Sequence, residues 1–167
     1  FFDLKLLEVL DREFEIEKGL RRAIDKEEIR FLYQPKVKVD TGKVIGFELL
    51  VRWHSKNMGI VSPKEFIPIA ENSGLIIPIG KYIIDESFKK CKELSLNTNK
   101  KFKMAINLSE VQIRDDEIVD YISMTLKKYN LDASYIELEI TESIIMKSAD
   151  KNIKTLEKLK ELGVTLA

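Results

Sequence analysis

The chain has 167 residues, and its 28 lysines and arginines balance its 28 aspartates and glutamates, so the formal net charge is zero. This length is enough for one domain with a real core. Zero net charge argues against binding along a nucleic-acid backbone, which requires a basic face, but it allows a small nucleotide ligand. The single cysteine excludes an intrachain disulfide, and no apolar run reaches the roughly 18–20 residues of a membrane span. We therefore expect a cytoplasmic domain.

The N-terminal part of the sequence reads as a helix followed by two strands. Apolar residues recur at three- to four-residue steps from Leu6 to Ile24 and predict a charged helix. Strands are predicted over 28–40 and 44–53, because both segments are largely apolar and a turn at Asp40–Gly42 separates them. These two strands are expected to pair as a hairpin.

The rest of the chain alternates helices with strands. Ser62, Pro63 and Glu65 predict a helix that opens with a capping box and ends at Gly74. The later predicted elements are a helix over 78–95, a strand over 102–109, a helix opened by Asp115 and Asp116, a strand over 135–143, a helix over 148–163 and a strand over 164–167. This alternation predicts parallel strands that are covered by helices.

Polar side chains occur at alternate positions of three predicted strands. Successive side chains on a strand point to opposite faces. Glu48 and Arg52 therefore share one face of their strand, whereas Leu49 lies on the opposite, apolar face that packs on helices. By the same parity Asn107 and Glu139 point away from the apolar faces of the next two strands. In a βα barrel, functional sites assemble at the carboxyl ends of the strands, which is where these side chains fall.

The candidate set of Glu48, Asn107 and Glu139 offers only oxygen ligands, which suit Mg²⁺, Mn²⁺ or Ca²⁺. Zinc is disfavoured, because the chain has one histidine and one cysteine without ligand spacing. Three structural alternatives stay open. They are a buried Glu48–Arg52 ion pair, an Asn107 that satisfies backbone groups in a turn, and carboxylates of Glu137 and Glu139 that sit at a frayed strand end.

Four ordered segments resemble the EAL family of domains. They are YQPKVKVDTGKVIGFELLVRW at 33–53, SPKEFIPIAENSGLI at 62–76, INLSEVQI at 106–113 and ELEITES at 137–143. The resemblance runs from about Glu13 to Ala167. It implies an α/β fold of the modified TIM (β/α)8 barrel type, of which the first half to two-thirds is expected here, because such a barrel takes roughly 250 residues.

The resemblance also implies a function. The family hydrolyses cyclic di-GMP to the linear dinucleotide pGpG with Mg²⁺ or Mn²⁺, and two ions are expected in the intact domain. The residues to which the resemblance assigns roles are Glu48, Asn107 and Glu139 as metal ligands, with Glu48 and Glu139 catalytic, Gln34 and Arg52 as substrate contacts, and Glu142 as the residue that holds a mobile loop near the site.

The sequence departs from the family pattern in two places. The signature is Glu-Leu-Leu instead of Glu-Ala-Leu, and because Leu49 faces the helices we expect this change to affect packing more than chemistry. The sequence stops at Ala167, where the family's Asp-Asp-Phe-Gly-Thr-Gly segment would begin. We therefore expect these 167 residues alone to bind divalent metal poorly and to lack turnover.

We predict two parts in the chain. Residues 1–18 resemble a linker helix of the kind that joins an upstream GGDEF domain, with a solvated connector that has no specific neighbour as the alternative. Residues 19–167 are expected to form a truncated EAL domain. A homodimer is expected for the intact protein. The alternative function is that of a catalytically silent cyclic di-GMP receptor, and a third is that of a different Mg²⁺-dependent barrel enzyme.

Overall fold

The structure is a computed structural model that describes residues 2–98, 100–140 and 150–167. Its strands are β1 (Ile29–Val37), β2 (Val44–Ser55), β3 (Gly59–Val61), β4 (Lys103–Asn107), β5 (Ile136–Glu139) and β6 (Thr165–Leu166). Its α-helices are α1 (Phe2–Leu20), α2 (Pro63–Asn72), α3 (Ile76–Thr98), α4 (Glu110–Ile113), α5 (Ile118–Lys128) and α6 (Asp150–Glu161). A turn of 3₁₀ helix, Ala133–Tyr135, leads into β5.

The strands form one sheet in the order β1-β2-β4-β5-β6, and the short β3 pairs with β2 beside this path. The first pair, β1 and β2, is antiparallel. From β2 onward the path is parallel, and helices provide the connections between its strands. The predicted hairpin followed by helix-covered parallel strands is therefore confirmed, and the architecture is that of a partial α/β barrel.

Helices cover one face of the sheet and build the hydrophobic core there. Leu49 of β2 is 3 % exposed and packs with Ile84 and Phe88 of α3, as the strand parity predicts. Ile106 of β4 and Leu138 of β5 belong to the same cluster. We call this helix-covered side the convex face of the sheet and the opposite side its concave face.

A second core cluster surrounds Trp53, at the far end of β2. The Trp53 ring is fully buried and meets Phe66 of α2 edge to face, with 5.8 Å between the ring centroids. Trp53 Nε1 donates a hydrogen bond to Glu28 Oε2 at 3.0 Å, and the backbone N–H of Lys56 donates to Glu28 Oε1 at 3.2 Å. Glu28 is thus a buried carboxylate whose partners fix the end of β2 against the strand that precedes it.

The predicted capping box of α2 is wrong. Ser62 does cap this helix, because its side chain accepts from the backbone N–H of Lys64 at 3.3 Å. Glu65 instead receives two hydrogen bonds from Arg12 of α1, at 2.7 and 3.2 Å. Arg12 gives the carboxylate two charged hydrogen bonds where a capping box would give it one, and Arg12 accordingly holds the pKa of Glu65 below its ordinary value.

Some element boundaries also differ from the sequence prediction. Helix α5 begins at Ile118, and Asp115 precedes it in a turn, accepting from the backbone N–H of Glu117 at 3.2 Å. The elements β3 and α4 were not predicted. Residues 141–149, into which the predicted strand 135–143 extends, lie outside the described residues.

Within the described ranges, no helix combines the length and the apolar character needed to cross a membrane.

Candidate functional site

Three of the predicted site residues meet on neighbouring strands. Asn107 of β4 pairs in register with Glu139 of β5, and Glu48 of β2 pairs with Ala105, two residues before Asn107 on the same face. Asn107 Nδ2 donates a hydrogen bond to Glu48 Oε1 at 2.9 Å. The structure therefore brings Glu48, Asn107 and Glu139 together near the carboxyl ends of β4 and β5.

A cavity of about 490 Å³ opens beside these residues, and Asn107, Glu139 and Arg52 all contribute to its wall. Most of the remaining wall is apolar and comes from β2, α2 and α3, including Leu50, Pro63, Phe66, Ile67 and Ile79. Pockets that bury small ligands have volumes of about 300–1,000 Å³ and a similar mix of apolar walls with a few polar groups.

Arg52 and Gln34 are the two residues predicted to contact the substrate, and the structure places Arg52 on β2 and Gln34 on β1. The guanidinium of Arg52 donates to the backbone carbonyl of Val51 at 2.8 Å. Glu48 and Arg52, both of which the structure describes, do not form an ion pair with each other, so the alternative of a buried Glu48–Arg52 pair is not supported. Gln34 of β1 is exposed and lies directly opposite Glu48 in the antiparallel register.

Lys36 is a site residue that the sequence analysis missed. Its Nζ donates to Glu137 Oε1 at 2.5 Å and to Glu139 Oε1 at 2.6 Å. The side chain of Glu137 is only 15 % exposed, so this glutamate is not at a frayed strand end. Burial by itself would lower the pKa of Lys36, but the hydrogen bonds to Glu137 and Glu139 outweigh burial and leave the pKa raised.

A signal for Lys36 was present in the sequence. Lys36 follows Gln34 by two positions on β1, so the two side chains point to the same face. Its register partner on β2 is Gly46, two residues before Glu48. Extending the alternation argument from β2 to its hairpin partner would have placed a cation on the face that carries the carboxylates.

Hydrogen bonds in the loop after β4 fix the backbone next to Asn107. The Ser109 hydroxyl accepts from the backbone N–H of Gln112, and the Gln112 side chain accepts from the backbone N–H of Ser109, which together form a capping box at α4. The backbone N–H of Leu108 donates to the carbonyl of Glu139 at 3.0 Å. These bonds fix the backbone on both sides of the Asn107–Glu139 pair, and the Ser-x-x-Gln pattern is a capping signal that the sequence analysis did not use.

The side-chain chemistry of this cluster fits a hard divalent cation. Asn107 donates its amide N–H to Glu48, so its oxygen is the atom that it offers to a cation. Glu139 shares one oxygen with Lys36 and has a second oxygen to offer. Mg²⁺ and Mn²⁺ favour such oxygen ligands. In the part of the chain that the structure describes, no group of three or more His, Cys, Asp or Glu side chains could hold a metal ion. The candidate set differs from such a group because it has two carboxylates and one amide.

The third carboxylate of the predicted site, Glu142, lies outside the described residues.

The sequence matches a known protein family over most of its length. The sequence model described as "EAL domain" matches residues 17–167. The chain belongs to the EAL domain family. This EAL chain is 32 % identical over its whole length to the bifunctional diguanylate cyclase/cyclic di-GMP phosphodiesterase MucR of Pseudomonas aeruginosa, and 31 % identical to the cyclic di-GMP phosphodiesterase NbdA of the same organism. It spans 24 % and 21 % of the length of these two relatives.

The fold of this EAL chain matches a solved structure of the same relative. The MucR phosphodiesterase in complex with c-di-GMP superposes with a TM-score of 0.86 at 34 % sequence identity, covering 91 % of this chain and 62 % of that one. The chain thus corresponds to somewhat less than two-thirds of the superposed MucR chain.

Proposed function

We propose that the protein containing this EAL chain is a divalent-metal-dependent phosphodiesterase that hydrolyses cyclic di-GMP to pGpG. The observation that carries the proposal is the hydrogen bond between Asn107 and Glu48 beside Glu139, at the edge of a cavity that Arg52 also lines. The names of MucR and NbdA support this substrate and this reaction. Because the chain covers at most a quarter of those relatives, the proposal concerns the whole protein.

The cavity can bind the substrate through two kinds of contact. Arg52 lines the same cavity as Asn107 and Glu139, so its guanidinium is available to a phosphate that binds there. Pro63 and Ile67 lie on the apolar wall, where a flat base can be buried. We assign Gln34 to a further polar contact, because it lies opposite Glu48 on β1.

Glu48, Asn107 and Glu139 are the residues that would hold Mg²⁺ or Mn²⁺. A bound divalent ion supplies an activated water and neutralises charge on the phosphoryl group. The hydrogen bond from Asn107 orients the carboxylate of Glu48, and the strand register fixes Glu139 beside Asn107. Arg52 orients the phosphodiester by charge and by directed N–H donors.

Two carboxylates and one amide are a small donor set for a pair of metal ions. We therefore expect these 167 residues by themselves to bind Mn²⁺ weakly and to release no pGpG, with further ligands coming from elsewhere in the whole protein. The linker helix at 1–18, an upstream GGDEF domain, a homodimer and a cytoplasmic location stay predictions.

The test is a turnover assay on the complete natural protein with Mg²⁺ or Mn²⁺, in which chromatography follows pGpG release from cyclic di-GMP. We expect Glu48→Gln to lower kcat on the order of 100-fold or more, because this change removes a charged ligand at constant shape. The matched control is Glu93→Gln on α3, where Glu93 forms an ion pair with the neighbouring Lys90 and is 45 % exposed. Its kcat should equal that of the wild type.

The outcomes separate the proposed function from its alternative. Release of pGpG by the wild type and not by Glu48→Gln supports the phosphodiesterase. Tight binding of cyclic di-GMP by the wild type without pGpG release contradicts it and supports a receptor. Wild-type turnover by Glu48→Gln would contradict the assignment of Glu48 to the site.

A further inference from the structure

We propose that Lys36 is a positioning residue for the metal site, because its ammonium group ties Glu137 and Glu139 together across the concave face of the sheet and so fixes the Glu139 carboxylate for a divalent cation. This inference rests on the proposed function and adds a residue to it. Lys36 lies on β1 and both carboxylates lie on β5, with β2 and β4 between them.

The path of the side chain shows that the contact depends on the curl of the sheet. Three strand spacings separate β1 from β5 along the sheet, which amounts to about 14 Å in a flat arrangement. Because side chains stand roughly perpendicular to a sheet, hydrogen bonds of 2.5 and 2.6 Å from Lys36 indicate that the sheet curls and brings β1 and β5 closer together across its concave side. Lys36 thus forms ion pairs across the interior of the partial barrel.

The contact restricts Glu139 in two ways. Lys36 binds Oε1 of Glu139, so Oε2 is the oxygen that this carboxylate offers to a cation. Lys36 also compensates the charge of Glu137, whose side chain is 15 % exposed and lies two residues before Glu139 on the same face. Without a partner, two partly buried carboxylates on one face would repel each other and move apart.

Lys103 offers a matched comparison on the same face. Its Nζ lies 3.7 Å from Oε2 of Glu137 and donates to Thr165 Oγ1 at 3.1 Å. Among the described contacts it has none with Glu139. Lys103 is therefore a cation that contacts Glu137 but not Glu139, the proposed metal ligand.

Removal of Lys36 should change the affinity for a divalent cation in opposite directions, depending on whether Lys36 positions Glu139 or only adds positive charge. If Lys36 only added positive charge, its removal would strengthen the binding of a divalent cation, because one cation that repels the metal ion would be gone. If Lys36 positions Glu139, its removal weakens the binding of the metal ion, although the change in charge favours it.

The experiment is a calorimetric titration of the complete natural protein with Mn²⁺. We expect Lys36→Met to weaken Mn²⁺ binding about tenfold or more, the range found when a residue behind a metal ligand is lost. Lys36→Arg keeps the donors and should recover part of this affinity. Lys103→Met should change the affinity by about twofold or less, because exposed ion pairs contribute little.

Each outcome supports or overturns the inference. Unchanged or tighter Mn²⁺ binding by Lys36→Met overturns it while leaving the proposed function intact. A wild type that binds no Mn²⁺ overturns the proposed function and the role of Lys36 with it. If Lys36→Met unfolds, Lys36→Met combined with Glu137→Gln removes the uncompensated charge, and this double variant should bind Mn²⁺ about tenfold more weakly than Glu137→Gln alone.

Discussion

The two faces of the sheet carry different parts of the molecule's chemistry. On the convex face, Leu49, Ile106 and Leu138 are almost fully buried under helices. On the concave face, Glu48 and Glu139 occupy the alternate positions of the same strands and remain partly exposed. Because successive side chains of a strand point to opposite faces, a single strand such as β2 supplies both a core and a site. Stability and metal chemistry should therefore respond to different, neighbouring residues.

The largest expected effect concerns two adjacent leucines of β2. Leu49→Ala removes a side chain that is 3 % exposed and should lower the free energy of unfolding by about 2–5 kcal/mol. Leu50→Ala, at a half-buried side chain on the concave face, should cost about 1 kcal/mol or less. Chemical denaturation of both variants measures the difference, and equal losses would contradict the assignment of the two faces.

The next largest effect on stability concerns Gln112, whose capping box with Ser109 lies in the loop after Asn107. A Cβ at Gly80 of α3 would lie 2.0 Å from Nε2 of Gln112, and this amide is buried and engaged in the capping box with Ser109. Gly80→Ala should therefore lower the free energy of unfolding by about 1–2 kcal/mol.

The control for Gly80→Ala is the same change in a Gln112→Ala background. There the methyl group meets no amide, and alanine is a better helix residue than glycine, so the change should stabilise by about 0.5–1 kcal/mol. Denaturation curves of the four proteins give both values. A destabilisation that persists without Gln112 would show that the clash lies elsewhere.

A further effect depends on pH and comes from Cys91 in the convex core. Burial raises the pKa of the Cys91 thiol from its ordinary value of 9.0 to about 11. Between these values the unfolded chain loses the thiol proton while the folded chain keeps it. The contribution to stability is thus complete below pH 9 and is lost as the pH rises towards 11. As the pH rises from 9 to 11, the midpoint temperature of thermal unfolding should fall more steeply for the wild type than for Cys91→Ala. The same dependence of the midpoint on pH in both proteins would contradict a buried thiol.

The smallest expected effect on stability comes from the concave face. Glu48→Gln should change the free energy of unfolding by no more than about 0.5 kcal/mol, because Glu48 is partly exposed and a glutamine oxygen can still accept from Asn107. Denaturation of the variant that loses turnover measures this directly. A large loss of stability would mean that Glu48 serves the fold as well as the site.

Much of the fold could be predicted because it depends on local patterns. Alternation along β2 placed Leu49 on the core side, and the order of helices and strands predicted the parallel part of the sheet. The capping box at Ser62 failed because Arg12, fifty-three positions away from Glu65, competes for the carboxylate. A partner that distant in sequence is invisible to a local pattern.

In the candidate site too, local patterns indicated some residues, whereas others depend on contacts between distant parts of the chain. Strand parity and the family resemblance indicated Glu48, Asn107, Glu139, Gln34 and Arg52, all of which the structure describes on β1, β2, β4 and β5. Their roles stay proposals. The ion pairs of Lys36 depend on the curl that brings β1 opposite β5, and curl is a property of the assembled sheet that no single strand sequence reveals.

The central claim is that Glu48, Asn107 and Glu139 bind one divalent cation beside the cavity. The most direct test is anomalous diffraction from crystals of the complete protein grown with Mn²⁺. We expect an anomalous peak about 2.0–2.6 Å from an oxygen of each of the three side chains. A peak that contacts none of them, with Asn107 still donating to Glu48, would contradict the account.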